Sequence, residues 1–331
     1  MTDPVGRLSP VVRLAPAKLN LTLAVVGRRD DGYHTLHSVF VPLTLADRLS
    51  LAPVGGQRDT LHVNGLDAGL PQDNLVLRSL ATARAAVGGG WAGGPGPAPA
   101  LAARLDKRIP VAAGLAGGSS DAAATLDGAL EAWGAELDDN VRLEVAAQLG
   151  SDVPFFLVGG PALVEGRGER VTSLRGLHGT PGVLLVTPVI AVPTPDVFAA
   201  FDAIRSHGDG AVQMSSVHFA EDLRSGLSAA NLVTRAGVLA SANDLWPATS
   251  LVVPALVPFR RALRRLLQRP IGLSGSGPTL WALYASEAET AAAASVVHAA
   301  LRDGGLTAPG SSEPFVFVSA IVGHSQQGRQ P

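Results

Sequence analysis

Cysteine is absent from this chain of 331 residues, which excludes disulfides, a thiolate nucleophile and cysteine-ligated metal. Lysine is nearly absent too: of 26 basic side chains only Lys18 and Lys107 are lysines. Charged residues make up 16%, with a net charge of −2, so electrostatics give no case for nucleic acid or an anionic membrane as partner. No apolar run reaches membrane-spanning length, and Met1 to Pro10 lack the apolar core of a signal peptide. The eight histidines show no metal-ligand spacing such as H-E-x-x-H. This composition predicts a soluble, cytoplasmic protein without nucleic-acid or membrane partners, and it leaves the oligomeric state open.

What is present is apolar bulk. Hydrophobic residues reach 47%, enough at this length for two domains and a large core. Where arginine is the default cation, a retained lysine marks a place that needs a compact ammonium rather than a planar fork.

Alternation predicts a strand over Val12–Val26, with Lys18, Asn20 and Thr22 on one face. After the turn at Arg28–Gly32, a second strand is expected over Tyr33–Leu43 and a third near Arg48–Ala52. Asp73-Asn74 opens a helix that ends near Val87, and Gly88–Ala100 reads as a mobile loop unable to form core. A strand over Leu101–Leu105 follows, then a glycine loop, its helix, and a helix over Val141–Leu149 stopped by Gly150. The pattern restarts near Pro161, which sets the domains at 1–160 and 161–331. In the second, strands are expected at Ala162–Glu165, Gly182–Val192, Thr279–Tyr284 and Pro314–Val322. Helices are expected at Pro195–Ile204, capped by Thr194, and at Ala229–Ser241, Pro254–Leu267 and Glu287–Arg302. The order suggests an α+β sandwich. Arg260, Arg261, Arg264, Arg265 and Arg269 read as a solvated face, and the tail after Gly323 has no assigned role.

Between Pro110 and Leu126 the chain places Gly114, Gly117 and Gly118 ahead of Ser119, Ser120, Asp121 and an alanine-rich helix. Free N–H groups and the dipole at a helix start suit a phosphate, and glycines let the backbone close around it. The loop is either such a cradle or an ordinary glycine turn capped by Ser119 or Ser120. It lacks the lysine of a P-loop and the spacing of a dinucleotide fingerprint. Asp152 is either a general base or a helix cap, and Lys18 either a charge stabiliser or an exposed strand lysine. If phosphate does bind, Asp121 beside it implies an intervening cation, for which Mg²⁺ is the natural choice.

Pro110 to Ala123, reading P-V-A-A-G-L-A-G-G-S-S-D-A-A, resembles the P-x-x-x-G-L-x-G-G-S-S loop of the GHMP small-molecule kinases. Ala15–Leu21, Asp31–Leu36, Gly150–Phe156, Gly166–Glu169, Asn243–Leu245 and Leu273–Gly277 narrow the resemblance. They are similar to the members that act on a cytidine-diphosphate-linked methylerythritol in non-mevalonate isoprenoid biosynthesis. The resemblance implies a two-domain GHMP kinase fold, with a ribosomal-S5-like N-terminal and a ferredoxin-like C-terminal domain. It implies ATP and Mg²⁺ as cofactors, the metal ligands left open, and phosphorylation of the 2-hydroxyl of that small-molecule substrate. Asp152 would be the general base and Lys18 its charged partner. Pro110, Gly114, Leu115, Ala116, Gly117, Gly118, Ser119 and Ser120 would hold the ATP phosphates, with Asn74 and Lys107 near the adenine end. Asn20, Tyr33, His34 and Thr194 would contact the cytidyl or methylerythritol portion.

Three positions depart from the pattern: Ala116 stands where glycine is frequent, Trp246 where an acid is more usual, and the Gly88–Ala100 loop is long. The alternatives are a GHMP kinase for homoserine, mevalonate or a sugar, and a non-catalytic ligand sensor of the same fold. Gly32-Tyr33-His34 favours the cytidyl substrate, since a small alcohol needs no aromatic platform.

Overall fold

The computed structural model describes residues 10–56, 58–69, 73–93, 96–204 and 210–323. The tail after Gly323 and the segment before Pro10 lie outside them, so the expectations for those stretches do too. Residue contacts divide the chain into two compact units that interleave along the sequence. The first comprises Met1–Ala17, Ala46–Val111 and Ala116–Leu157; the second comprises Lys18–Leu45, Ala112–Leu115 and Val158–Pro331. Two long strands, β1 (Val11–Arg28) and β2 (His34–Pro53), leave residues in both.

In the first unit, β3 (Thr60–Gly65) pairs in parallel with β4 (Leu101–Lys107), which pairs antiparallel with Arg48–Pro53 of β2. Helices α1 (Leu75–Val87), α2 (Gly117–Trp133), α3 (Asp139–Leu149) and α4 (Val153–Val158) complete it. Asn74 caps α1 by accepting from the Val76 N–H at 3.0 Å, as its position before the apolar stripe predicts. The core joins Leu49, Leu51, Leu80, Leu101, Leu105, Leu126 and Trp133.

Three expectations change here. The two strands expected over Tyr33–Ala52 are one, β2, because the polar residues that suggest a break have partners: Thr44 pairs with Ser319 and Asp47 with backbone N–H groups. Strand β3 goes unnoticed in the sequence because its apolar residues are few and half-buried. The stretch expected to form no core contributes Ala98 to it. Arg84 donates to the Ala98 carbonyl at 3.0 Å, and the Trp133 indole donates to the Pro99 carbonyl at 3.0 Å.

In the second unit, Leu36–Phe40 of β2 pairs with β5 (Ala162–Gly166), which pairs with β6 (Arg170–Ser173). The short strand β7 (Leu177–His178) precedes β8 (Gly182–Thr187), α5 (Thr194–Ile204) and α6 (Ala211–Ser225). Then come β9 (Leu227–Ser228), paired with β7, and α7 (Ala229–Thr234), α8 (Ala236–Leu239), α9 (Trp246–Val252) and α10 (Leu256–Leu267). The last described elements are β10 (Gly272–Leu273), β11 (Leu280–Tyr284), α11 (Glu287–Arg302) and β12 (Phe315–Ala320). An antiparallel sheet has the order β10-β11-β8-β12.

β8 stops at Thr187 rather than Val192, since Pro188 has no N–H for a central strand. The helix expected over Ala229–Ser241 is broken at Arg235, whose N–H turns back to the Leu232 carbonyl. Thr194 is the first residue of α5 rather than its cap, and its hydroxyl lies 2.9 Å from that of Ser276. The basic face of α10 is not wholly solvated. Arg260 donates to the Ile271 and Ala240 carbonyls and stacks 4.1 Å from the Trp246 ring, and burial lowers its pKa to about 10. Among the described residues no helix is long and apolar enough to cross a membrane.

Trp133→Ala should cost about 3–5 kcal/mol, the range for truncating a buried aromatic. Urea unfolding measures it, and a loss below about 1 kcal/mol would show that the Trp133–Pro99 packing is not holding the segment.

Candidate active site

The backbone between Pro110 and α2 is left-handed at every second residue: Ala112 has φ 55°, Gly114 77° and Ala116 53°. Alternating handedness curls a chain so that successive N–H groups turn inward, which forms an anion-binding concavity. Gly114 is required for a second reason, since a Cβ there would lie 2.3 Å from the Ser274 carbonyl oxygen. Ala116 keeps its methyl group at a positive φ, a local strain of about 1–2 kcal/mol. It also occupies the N-cap position of α2 and makes no side-chain cap. Neither Ser119 nor Ser120 is the cap, and the buried Ser120 hydroxyl has no hydrogen-bond partner. The helix start therefore keeps its N–H groups available.

In the first unit, residues flanking this turn in sequence belong to a buried ionic cluster. Lys107 Nζ donates to Asp121 Oδ2 at 2.7 Å and to Asp47 Oδ2 at 2.5 Å. The Lys107 ammonium thus lies directly beside Asp121. Lys107, expected near the adenine end, is 3% exposed and directs its ammonium to these carboxylates. Burial, with help from the Asp47 charge and against the attraction of Lys107, pushes the Asp121 carboxyl up to about 7. Among the described residues no group of three or more histidine, aspartate or glutamate side chains could hold a metal ion.

Lys18 belongs to the second unit and is buried rather than an exposed strand lysine, at 4% exposure. Its Nζ donates to Asn20 Oδ1 at 2.6 Å and to the Gly114 carbonyl at 3.1 Å, and it lies 4.6 Å from the centre of the Phe40 ring. The strand alternation that put Lys18 and Asn20 on one face holds. Ser274 joins them, donating to the Gly114 carbonyl at 2.8 Å. The Asn243 amide fixes that serine turn through the Leu273 and Gly275 carbonyls. Its glycine-serine run drew notice in the sequence, but nothing local ties it to Gly114.

His34 Nε2 lies 2.7 Å from Asp202 Oδ1, and its ring stacks on Phe198 at 4.7 Å. The sequence did not single out Phe198 and Asp202, although their i, i+4 spacing on α5 puts both on one face. Tyr33 is 54% exposed, with the Arg167 guanidinium 5.4 Å from its ring centre. Asn74 ends at α1, whose Leu75 reaches to 3.7 Å from a Cβ built on Gly118. Asp152 sits in the turn between α3 and α4; a Cβ on nearby Gly150 would lie 3.9 Å from the Ser119 hydroxyl. Lys18 and Asp152 fall in different units.

The Asp121 proton has a consequence for stability. An unfolded aspartate titrates near 3.9, so from about pH 4 to 7 the folded chain holds a proton that the unfolded chain has lost. This contribution to stability is full below that window, falls as pH rises through it, and levels off above. Asp121→Asn should flatten that part of the melting-temperature profile; an unchanged decline between pH 5 and 7 would place the proton elsewhere.

A family model described as the GHMP kinases N terminal domain matches residues 74–160. A 4-diphosphocytidyl-2-C-methyl-D-erythritol kinase of Pelotomaculum thermopropionicum is 38% identical over 275 residues, covering 83% of this chain and 89% of that protein. The kinase of the same name from Nocardia farcinica is 40% identical over 309 residues, covering 91% and 94%. A crystal structure of 4-(cytidine 5'-diphospho)-2C-methyl-D-erythritol kinase superposes with a TM-score of 0.67 at 32% identity, covering 94% of this chain and all of that one. With its left-handed glycine loop and buried Lys18, the chain belongs to the 4-diphosphocytidyl-2-C-methyl-D-erythritol kinase family of GHMP kinases.

Proposed function

We propose that the chain phosphorylates the 2-hydroxyl of 4-diphosphocytidyl-2-C-methyl-D-erythritol from ATP, a step of isoprenoid precursor biosynthesis. The observation that carries this reading is the buried Lys18 ammonium on the Gly114 carbonyl, which couples a compact charge to the glycine loop. Family membership supplies the substrate.

Asp152 takes the proton from the acceptor hydroxyl, and Lys18 offsets the charge that develops there. Pro110 and Gly114 to Ser120 form the phosphate loop, with backbone N–H groups and the α2 dipole facing the anion. Asn74 keeps its amide N–H groups for the adenine end, since its oxygen is used in the cap. Tyr33 offers a stacking face to the cytosine, and the Asp202 contact fixes the His34 ring for hydrogen bonding. Asn20 and Thr194 hold the remainder of the substrate.

A Mg²⁺ ion arriving with the nucleotide would find a protein oxygen ligand in the unpartnered Ser120 hydroxyl. When bound, such an ion neutralises phosphate charge. We assign the N-terminal domain to 1–160, where the family match ends, and the C-terminal domain to 161–331. The strand order β10-β11-β8-β12 supports a ferredoxin-like reading of the latter, and the N-terminal part is read as ribosomal-S5-like. A cytoplasmic location and a small-molecule partner fit a cysteine-free metabolic kinase.

The test offers ATP and Mg²⁺ with the cytidyl substrate, homoserine, mevalonate and galactose in parallel. Preference for any of the last three would overturn the substrate assignment. Asp152→Asn should lower turnover by about 10²–10⁴-fold with the fold intact, and near-normal turnover would remove Asp152 as base. Lys18→Arg should be severely impaired, because a planar fork cannot occupy the slot between Asn20 and Gly114. A fully active variant would sink that role.

A further inference from the structure

We propose that the buried Asp47–Lys107–Asp121 cluster is a clamp that sets the shape of the phosphate loop, with Asp47 as the positioning residue, and that it acts on ATP affinity. The inference rests on the kinase reading of that loop and assigns Lys107 to the loop's support instead of to the nucleotide. Asp47 was not among the residues that sequence patterns singled out.

Two carboxylates bridged by one ammonium hold the two ends of the loop. Asp47 Oδ1 accepts from the Arg108 N–H at 2.5 Å and the Ile109 N–H at 2.8 Å, the last two backbone donors before Pro110. Its Oδ2 accepts from Lys107 Nζ, which reaches across to Asp121 in the first turn of α2. The loop thus starts and finishes on a single ion network. The three residues are 0%, 3% and 2% exposed. Gly117 seats α2 directly on it: a Cβ there would lie 3.0 Å from Lys107 Nζ and 2.9 Å from Ile109 Cγ2.

Stability alone gives poor reason to keep such a cluster. A fully buried ion network is often replaceable by apolar residues without loss, because desolvation offsets the attraction. This one also leaves Asp121 Oδ1 buried without a hydrogen-bond partner. Geometry is what the network supplies. The alternating left-handed residues Ala112, Gly114 and Ala116 are conformationally costly, and fixed ends hold them in place. A loop held in its binding shape loses less freedom when the phosphates arrive.

The experiment compares the full-length chain with Asp47→Asn and Asp121→Asn in steady-state kinetics, ATP titration calorimetry and thermal melting. Asp47→Asn should raise the KM and Kd for ATP by about tenfold while the KM for the cytidyl acceptor stays within about twofold. Asp121→Asn keeps an oxygen for Lys107 and should shift ATP affinity less, in the same direction. If Asp47→Asn does not fold, Asp121→Asn decides. ATP affinity equal to wild type in a folded variant would overturn the clamp. So would equal losses for ATP and acceptor that follow the fall in melting temperature. A wild-type chain that does not bind ATP would overturn the kinase reading itself, an outcome distinct from variants that bind as well as wild type.

Discussion

A phosphate can be held by backbone N–H groups only if those groups stay unpaired and the chain that carries them stays fixed. The first requirement is met at the start of α2, where Ala116 makes no side-chain cap and no serine substitutes for one. The second is harder, because the preceding loop is left-handed at Ala112, Gly114 and Ala116, a conformation that alanine does not favour. Much of the surrounding structure answers that demand. Asp47 and Lys107 fix the loop's ends in the first unit. In the second unit, the Gly114 carbonyl takes hydrogen bonds from Lys18 and Ser274, and the Lys18 N–H donates to the Leu115 carbonyl.

The two lysines share one physical role in different settings. Each is almost fully buried, and each places its ammonium between two oxygen acceptors 2.5–3.1 Å away. A point charge with three rotatable donors fits such a slot; a planar guanidinium does not. Arg260 makes the contrast, spreading its guanidinium over Trp246 while donating to two carbonyls. Both retained lysines thus sit in compact, buried slots.

Elements with strong end signals were legible in the sequence. Asn74 starts α1, Ser286 caps α11 by accepting from Glu289, and Gly150 ends α3. The long strand β2 was not, since the polar residues that seemed to interrupt it are satisfied by partners distant in sequence. Helix α6 escaped notice because its inward face includes Ser216, which pairs with Thr22 and His37 and blurs the apolar stripe. Within the candidate site, the glycine loop, Lys18 and Asn20 could be picked out from local patterns, and His34 only from the family resemblance. Asp47, Asp202, Phe198 and the Gly114 contact of Ser274 could not.

The sequence by itself determined the local features of the candidate site: glycines at a turn ahead of a helix start, and a lysine and asparagine on one strand face. Those are properties of short segments, where backbone geometry and side-chain period follow from neighbouring residues. Tertiary structure alone decided which partner each buried charge would take. Lys107 meets Asp47 across 60 residues, Ser274 meets Gly114 across 160, and His34 meets Asp202 across 168. Such pairings depend on strand register and helix packing over the whole chain. For that reason the pairing of Asp121 with Lys107 is a fact that local pattern could not supply.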